Sequence, residues 1–310
     1  MIYKFLIFLL IPLIAYSQDD KLDNRPYLNY TLLDSDPIID GDVIDDKVWG
    51  SVPSLSQMIQ TKPSYGLKSS ETTDIKVAFS SSVMYVGVIC YDSNPNKLVV
   101  SDSRRDADLS DDDSFLFIID TYNDQQNGFL FGTNSAGMQY DAQIDNEGVG
   151  NRSSSRQQSG VIGGTNLNWD ATWVVKTSTS EIGWSAEFAI PLKSIRFSSG
   201  DNKTWGINFQ RNISKNNEVS YWAPMPAGFN FDIKRVSLAG KLNGVTLKSP
   251  GNLKLLPYVL VKGTHNKAFK KNNFNQDYGA DLKYSITSGL TLDLTYNTDF
   301  AQAEVDKQQV

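Results

Sequence analysis

Cysteine and histidine are almost absent from this sequence, which contains one of each among its 310 residues, Cys90 and His265. A disulfide within the chain is therefore excluded, and so is a zinc site built from several Cys and His ligands. The lone histidine also argues against a Ser-His-Asp triad, because His265 lies in a polar stretch rich in Lys and Asn that we interpret as a loop.

Positive charge is in the minority, and long apolar runs are missing after residue 17. The formal net charge is −6, so the sequence predicts no nucleic-acid partner. Residues 1–17 combine Lys4, an apolar run over 5–15 and a small-x-small cleavage site at 15–17, which is typical of a secretory signal peptide. That run is shorter than the roughly 20 residues of a membrane-spanning helix. We therefore expect an exported chain that begins at Gln18, with a flexible lead-in over 18–27.

What the sequence does contain is a series of short alternating or apolar segments separated by turn residues, with 11% aromatic side chains. This pattern is typical of an all-β, antiparallel β-sandwich of the jelly-roll-like kind. The segment 83–91 is almost wholly apolar, as in a strand buried on both faces, and includes Cys90 as a small buried side chain. A loop is predicted over 145–168 and one helical turn over 192–195. The predicted strands are 73–79, 83–91, 112–120, 127–134, 138–144, 171–177, 183–191, 205–213, 220–224 and 236–242.

The segment that opens this region, residues 37–49, contains four aspartates, a glycine and a tryptophan. Asp40 and Gly41 predict a tight turn, and Asp45 is placed to cap a short helical turn that carries Trp49 into the core. Its pattern, P-x-I-D-G-x-x-x-D-D-x-x-W, resembles the entry motif of the family 9 carbohydrate-binding modules. It is most similar to the version that precedes a β-barrel region in a group of Gram-negative outer-membrane proteins. Further matching pieces are Y-V-G at 85–87, D-S at 113–114, G-W-x-A-E-x-x-I-P at 183–191 and W-G-I-N-F at 205–209.

The composition changes after about residue 249. Strands are predicted over 252–261, 277–287 and 290–297, with a polar tract over 262–275. The last strand alternates apolar and polar residues, which suits a transmembrane barrel strand and equally a second soluble sandwich. The segment 297–306 resembles the N-P-D-F-S-Q-V-E-A-D motif that opens the barrel region of the same group, and this favours a barrel. We thus divide the chain into a signal peptide (1–17), the lead-in (18–27), a β-sandwich (28–249) and the first strands of an incomplete barrel (250–310), so the chain looks truncated.

A sugar site needs aromatic faces on which a pyranose ring stacks, with polar groups around them. The predicted sugar-binding residues are Arg105, Trp173, Tyr221 and Trp222; core or interface packing is the alternative for the tryptophans. The resemblance places the family's first clamp aromatic at Ser110, its glutamate at Leu116, its arginine near Gly132 and its second clamp aromatic at Tyr221. It therefore implies that most of the family's sugar-gripping side chains are replaced in this chain.

Aspartates are dense at 40–46 and again at 106–113, and clustered carboxylates suit Ca²⁺. The resemblance also implies structural calcium, while solvated turns are the alternative. The sequence predicts an exported, non-catalytic carbohydrate-binding module tethered to an outer-membrane barrel, with a polysaccharide or oligosaccharide ligand. A structural or partner-docking domain is the alternative. Part of a glycoside hydrolase comes third, because no pattern selects two carboxylates that would flank a glycosidic bond.

Overall fold

The computed structural model describes residues 25–149, 161–162, 164–228, 232–248, 253–266, 271–287 and 290–297. The predicted signal peptide and most of the lead-in over 18–27 lie outside the described residues. The helices within these ranges are short 3₁₀ segments, at Lys47–Ser51, Pro95–Lys97, Asn146–Gly148, Leu192–Ser194, Ser214–Asn216, Asp232–Lys234 and Val236–Leu238. No described helix is long and apolar enough to cross a membrane.

Eighteen strands follow one another along the described chain, which confirms the all-β class. They are β1 (Tyr27–Asn29), β2 (Ser54–Leu55), β3 (Ile59–Lys62), β4 (Thr73–Phe79), β5 (Val83–Tyr91), β6 (Ser114–Asp120), β7 (Gly128–Asn134), β8 (Tyr140–Ile144), β9 (Val161–Ile162), β10 (Thr165–Asn166), β11 (Val174–Ser180), β12 (Gly183–Pro191), β13 (Gly200–Ile213), β14 (Glu218–Tyr221), β15 (Gly240–Leu247), β16 (Leu253–Asn266), β17 (Lys271–Thr287) and β18 (Leu290–Tyr296).

These strands form three sheets. The larger sheet has ten strands in the order β1-β15-β13-β6-β7-β8-β10-β9, and β14 pairs with both β13 and β3. The smaller sheet has the order β11-β12-β5-β4-β2, and a separate three-stranded sheet has the order β16-β17-β18. The pair β1–β15 is parallel, which the prediction of an antiparallel sandwich missed. The three strands β16–β18 form an open sheet, and no closed barrel is seen among the described residues.

The larger and smaller sheets pack face to face over one apolar core. Phe117 from β6 meets Phe188 from β12 edge to face, with ring centroids 5.2 Å apart. Trp173 stacks on the same Phe188 at 5.8 Å, and Cys90 is fully buried in β5 as expected. Burying each such side chain contributes roughly 1.5–3 kcal/mol. The core therefore fixes which face of each strand of the larger sheet points away from the smaller sheet.

The opening segment docks on the smaller sheet through one buried carboxylate. Glu187 accepts hydrogen bonds from Trp49 Nε1 at 2.7 Å, from the Asp40 backbone N–H at 2.9 Å and from the Gly41 backbone N–H at 2.8 Å. The predicted turn is confirmed, since Gly41 has φ +99°, and Trp49 is buried. The predicted cap was one residue off: Asp46, not Asp45, caps the 3₁₀ helix, because its carboxylate accepts the Val48 N–H.

Several stretches differ from the predicted elements, and three of them differ in the type of element. Bounds also shift at β11 (Val174–Ser180 instead of 171–177) and β14 (Glu218–Tyr221 instead of 220–224). Part of 236–242 is the 3₁₀ segment Val236–Leu238, and the strand starts only at Gly240. The predicted loop over 145–168 contains β10, because residues 165–166 pair with β8. The polar tract over 262–275 is largely strand, and His265 pairs with Asn272. Side-chain polarity suggested loops there, whereas a strand ladder is made by backbone groups that every residue except proline carries in full.

Candidate functional site

Cross-strand pairing lines up one row of side chains on the outer face of the larger sheet, the face that points away from the smaller sheet. Directly opposed residues in an antiparallel ladder point to the same face, so the row follows from the register. This outer row consists of Tyr140 (β8), Gly132 (β7), Leu116 (β6), Gln210 (β13), Tyr221 (β14) and Ile59 (β3). The positions to which the resemblance assigns the family's glutamate, arginine and second clamp aromatic thus lie side by side in space.

Gln210 is the polar member at the centre of the outer row. Its side chain is 7% exposed, and Nε2 donates a hydrogen bond to Asn212 Oδ1 at 2.8 Å. Its amide oxygen Oε1 is buried and has no hydrogen-bond partner among the described residues. A buried carbonyl oxygen without a donor costs about 1–3 kcal/mol. Such a group calls for an explanation, and a hydroxyl or N–H donor from a ligand would satisfy it.

The amides on either side of Gln210 are already satisfied by the chain itself. Asn208 exchanges two hydrogen bonds with the main chain of Ala223, at 3.1 and 2.8 Å. Asn212 Nδ2 donates to the carbonyl of Leu109 at 3.0 Å, and the Ser114 hydroxyl donates to the same carbonyl at 2.9 Å. The segment that contains Leu109 therefore lies over the outer face, and Gln210 lies between its contact and that of Ala223 just beyond β14.

An apolar cluster covers the rest of the outer row. Leu109 is 3% exposed and lies against Gly132, since a Cβ added at Gly132 would come within 2.9 Å of Leu109 Cδ1. We call this the outer cluster; its buried members are Leu109, Leu116, Ile118, Leu130, Met138, Ala142, Ile144, Tyr221, Met225, Ile233 and Val236. The outer face is therefore a second, smaller core.

Three of the four predicted sugar-binding side chains are buried aromatic rings. Tyr221 is 2% exposed and belongs to the outer cluster. Trp222 follows it in sequence but packs in the central core, edge-on to Phe209 at 5.6 Å. Trp173 is also in that core. None of these rings presents a free face in this structure, and their role in sugar binding stays a prediction.

Arg105, the fourth predicted residue, ties its loop to β8. Its guanidinium lies 2.5 Å from both Asp141 and Asp170, and it donates to Gln139 Oε1 at 2.9 Å. Gln139 in turn donates to the Trp173 carbonyl, so the structure brings Arg105 and Trp173 to the same edge. Burial raises the pKa of Asp141, although the Ala171 N–H and Arg105 oppose that rise. The side chain of Asp170 is 75% exposed, so its ion pair with Arg105 contributes little to stability, whereas the Asp141 side chain is 1% exposed.

The acidic runs act mainly as acceptors for their own turns. Asp42 Oδ1 accepts the backbone N–H groups of Ile44 and Asp45, and Asp113 Oδ2 accepts that of Val99. Among the described residues, no group of three or more Asp, Glu, His or Cys side chains could hold a metal ion. Calcium binding by the acidic runs stays a prediction.

Sequence reasoning missed Gln210, Asn212 and Leu109. A usable signal was present for the first two, because the alternation of the predicted strand 205–213 puts both amides on the face opposite Ile207 and Phe209. Leu109 carried no such signal, since it lies in a polar, aspartate-rich loop. Its position over Gly132 depends on long-range packing.

Comparisons with known families match two separate parts of the chain. The model of the carbohydrate family 9 binding domain-like family matches residues 39–223. The model of a domain of unknown function (DUF5916) matches residues 249–310. A search of the curated proteins found no match.

Solved structures resemble the sandwich at low sequence identity. A putative carbohydrate-binding protein from Bacteroides uniformis has a TM-score of 0.52 at 15% identity, over 71% of this chain and 99% of that chain. A family 9 carbohydrate-binding module from Caldicellulosiruptor kristjanssonii was solved with glucose (TM-score 0.49, 15% identity, 73% of this chain and 98% of that one). It was also solved with cellotriose (TM-score 0.48, 15% identity, 72% and 95%). At this identity, the match to the Bacteroides protein shows a shared fold.

Proposed function

The chain belongs to the carbohydrate family 9 binding domain-like family, and from this premise we propose that it is an exported, non-catalytic carbohydrate-binding protein whose sugar site is the outer row. The single observation that carries this location is the buried Gln210 Oε1 without a partner among the described residues. A sugar hydroxyl is a donor that fits such an acceptor. The ligand class is a polysaccharide or oligosaccharide.

Beneath the cover that Leu109 and the rest of the outer cluster form, the outer row also contains apolar surface that suits a sugar ring. In this row Tyr140 lies two strands from Leu116, Tyr221 lies one strand from Gln210, and Gly132 between them has no side chain of its own. Pyranose rings bind against aromatic faces, while a few placed polar groups fix their orientation. Gln210 would supply the orienting hydrogen bond and the tyrosines the apolar contact, with no chemical step.

The test is retention of the full chain on soluble β-glucan, xylan, mannan and starch in affinity electrophoresis, followed by calorimetry on whichever binds. Gln210→Leu removes the amide at similar volume, and we expect binding to weaken about tenfold, or 1.4 kcal/mol. Gln57→Leu is the matched control, because Gln57 is exposed between β2 and β3. Equal affinity of the two variants would show that the sugar does not bind at the outer row.

A second candidate function, a structural or partner-docking domain, is favoured by the apolar cover of the outer row. Leu109 and its neighbours bury the positions to which the resemblance assigns the family's sugar-binding residues. On this reading, the chain binds none of the four polysaccharides. The five tryptophans buried in the structure (Trp49, Trp173, Trp184, Trp205 and Trp222) then stay protected from iodide quenching whether or not sugar is present.

We further propose that the sheet β16–β18 contacts the outer membrane, as strands of a β-barrel do. Its register gives one face a row of three leucines, Leu255, Leu282 and Leu294. The opposite face pairs Lys254, Lys283 and Asp293, with Lys283 Nζ 3.6 Å from Asp293. Leu294 is 55% exposed. An outward apolar face backed by a polar one is the pattern of strands in outer-membrane barrels.

Flotation of the full chain with phospholipid vesicles tests this localisation. Leu294→Lys places a charge on the apolar face, where it is expected to cost roughly 2–4 kcal/mol at the bilayer midplane and so reduce flotation. Thr295→Lys is the matched control, since Thr295 neighbours Leu294 on the opposite face. Flotation that is equally strong in both variants, or absent in the wild type, would refute membrane contact.

A further inference from the structure

We propose that Leu109 acts as an intramolecular competitor that occupies the outer row and thereby sets the affinity of the Gln210 site; this inference rests on the carbohydrate-binding function proposed above. Leu109 lies in the middle of residues 107–111, which we call the tip. The tip contains no strand or helix and crosses the outer face of the larger sheet. Its contacts are those that a ligand at the same place would make.

The first step concerns polar contacts. The Leu109 carbonyl takes the hydrogen bonds of Asn212 Nδ2 and the Ser114 hydroxyl, two donors on the same face as Gln210. A sugar hydroxyl is an acceptor for the same donors. A ligand that bonded Gln210 and Asn212 together would therefore have to displace the Leu109 carbonyl.

The second step concerns apolar contacts. The Leu109 side chain occupies the space above Gly132, the residue in the outer row with no side chain of its own. Leu116 lines the same space, with its Cγ 3.0 Å from a Cβ added at Gly132. A sugar ring laid on the row would need this space. Leu109 and the ligand thus exclude each other at two kinds of contact.

The third step is that the tip is attached by fewer contacts than its two flanks. On one side, Arg105 pairs with Asp141, and the Asp106 N–H donates to the Gln139 carbonyl at 3.0 Å. On the other side, Asp112 Oδ2 accepts from Asn134 Nδ2 at 2.8 Å.

Between these flanks, the tip is held by few groups. Asp108, Ser110 and Asp111 are exposed, and Ala107 is only partly buried. Apart from the contacts of Leu109, the Ala107 N–H donates to the Arg104 carbonyl at 3.2 Å, and the Asp111 carbonyl accepts a hydrogen bond from the Ser214 hydroxyl at 2.7 Å. Leu109 is therefore the main apolar attachment of the tip, and removing its side chain should favour the uncovered state.

The experiment compares the full chain with Leu109→Ala in affinity electrophoresis on the same four soluble polysaccharides. We expect the variant to bind about tenfold more tightly than the wild type, which corresponds to 1.4 kcal/mol. Leu67→Ala is the matched control, because Leu67 is 60% exposed outside the outer cluster, and its affinity should equal that of the wild type. Thermal unfolding establishes that each variant is folded.

If Leu109→Ala does not fold, Leu109→Val provides the second measurement. It shortens the side chain that fills the space above Gly132 while keeping an apolar residue in the outer cluster, so tighter binding is again expected. Binding by the wild type that Gln210→Leu weakens, but that Leu109→Ala or Leu109→Val leaves unchanged or weakened, overturns the competitor role alone. If wild type and all variants bind none of the polysaccharides, both the sugar site and the competitor role are refuted.

Discussion

At the scale of single residues, Gly41 shows how one backbone neighbour can determine the choice of amino acid. Its φ is +99°, and a Cβ placed there would lie 2.5 Å from the backbone carbon of Thr177. Gly66 also has positive φ, +79°, but an added Cβ there would meet nothing within 4 Å. The two glycines therefore separate the cost of the backbone conformation from the cost of close approach.

We predict that Gly41→Ala destabilises the fold by at least about 3 kcal/mol, whereas Gly66→Ala costs about 1–2 kcal/mol. The first change combines backbone strain with displacement of Thr177 and of the turn that donates to Glu187. Urea unfolding followed by tryptophan fluorescence measures both values. Equal destabilisation by the two substitutions would show that the Thr177 backbone moves aside without a cost in stability.

Glu187 shows what sequence reasoning cannot reach at this scale. The turn at Asp40 and Gly41 and the inward Trp49 were predictable, because glycine and aspartate favour turns and large aromatics favour the core. The carboxylate that joins them lies more than a hundred positions away along the chain. No local pattern states that these three groups share one acceptor.

At the scale of elements, the 3₁₀ helix Lys47–Ser51 depends on which aspartate caps it. Asp46 Oδ1 accepts the Val48 N–H, and its Oδ2 accepts the Ile38 N–H, both at 3.0 Å. Asp45 is exposed. The sequence pattern predicted the short helix but assigned its cap to Asp45 instead of the adjacent Asp46. Which of the two aspartates caps the helix depends on the angle at which the chain enters it.

We predict that Asp46→Ala lowers the free energy of unfolding by about 1 kcal/mol, as expected for loss of an N-cap. Asp45→Ala should change it by less than about 0.5 kcal/mol, since its side chain is at the surface. Thermal and urea unfolding of both variants provide the comparison. A larger loss of stability for Asp45→Ala than for Asp46→Ala would show that Asp45 caps the helix, as the sequence predicted.

Strand bounds were predictable where the apolar pattern of a strand ends at a turn residue or a proline. β4, β5 and β12 have the predicted bounds, since each is strongly apolar or alternating and ends at a turn or at Pro191. β16 and β17 extend through polar residues that suggested a loop. In those strands, pairing between neighbours outweighs the side-chain pattern.

At the scale of the whole molecule, the outer row exists only because six strands from distant parts of the sequence lie side by side. The neighbour order β8-β7-β6-β13-β14-β3 brings Tyr140 and Ile59 into one line. Sequence reasoning could predict the sandwich and the alternation within each strand, but this order is set by the assembled core. The site was therefore less predictable than the fold.

Four buried carboxyl groups give the molecule a common response to pH. Burial raises the pKa of each of them above its ordinary value of 3.8 or 4.5, namely of Asp113, Asp120, Asp141 and Glu187. Despite burial, a hydrogen bond from Lys215 and others from Ser93 lower the pKa of Glu71. A raised pKa means that the folded state holds its proton to higher pH than the unfolded state does.

We predict that, above about pH 5, the free energy of unfolding falls as the pH rises until the four carboxyl groups are ionised in the folded state as well, because until then the folded state binds more protons than the unfolded state. Groups with lowered pKa, such as Glu71, are ionised in both states above about pH 5 and do not affect this slope. Urea unfolding at several pH values measures the slope. Glu187→Gln should make the free energy of unfolding depend less steeply on pH, whereas Glu181→Gln, at an exposed position, should leave the slope unchanged. A free energy that rises over this interval would mean that the four carboxyl groups are better stabilised as anions in the folded chain than their burial implies.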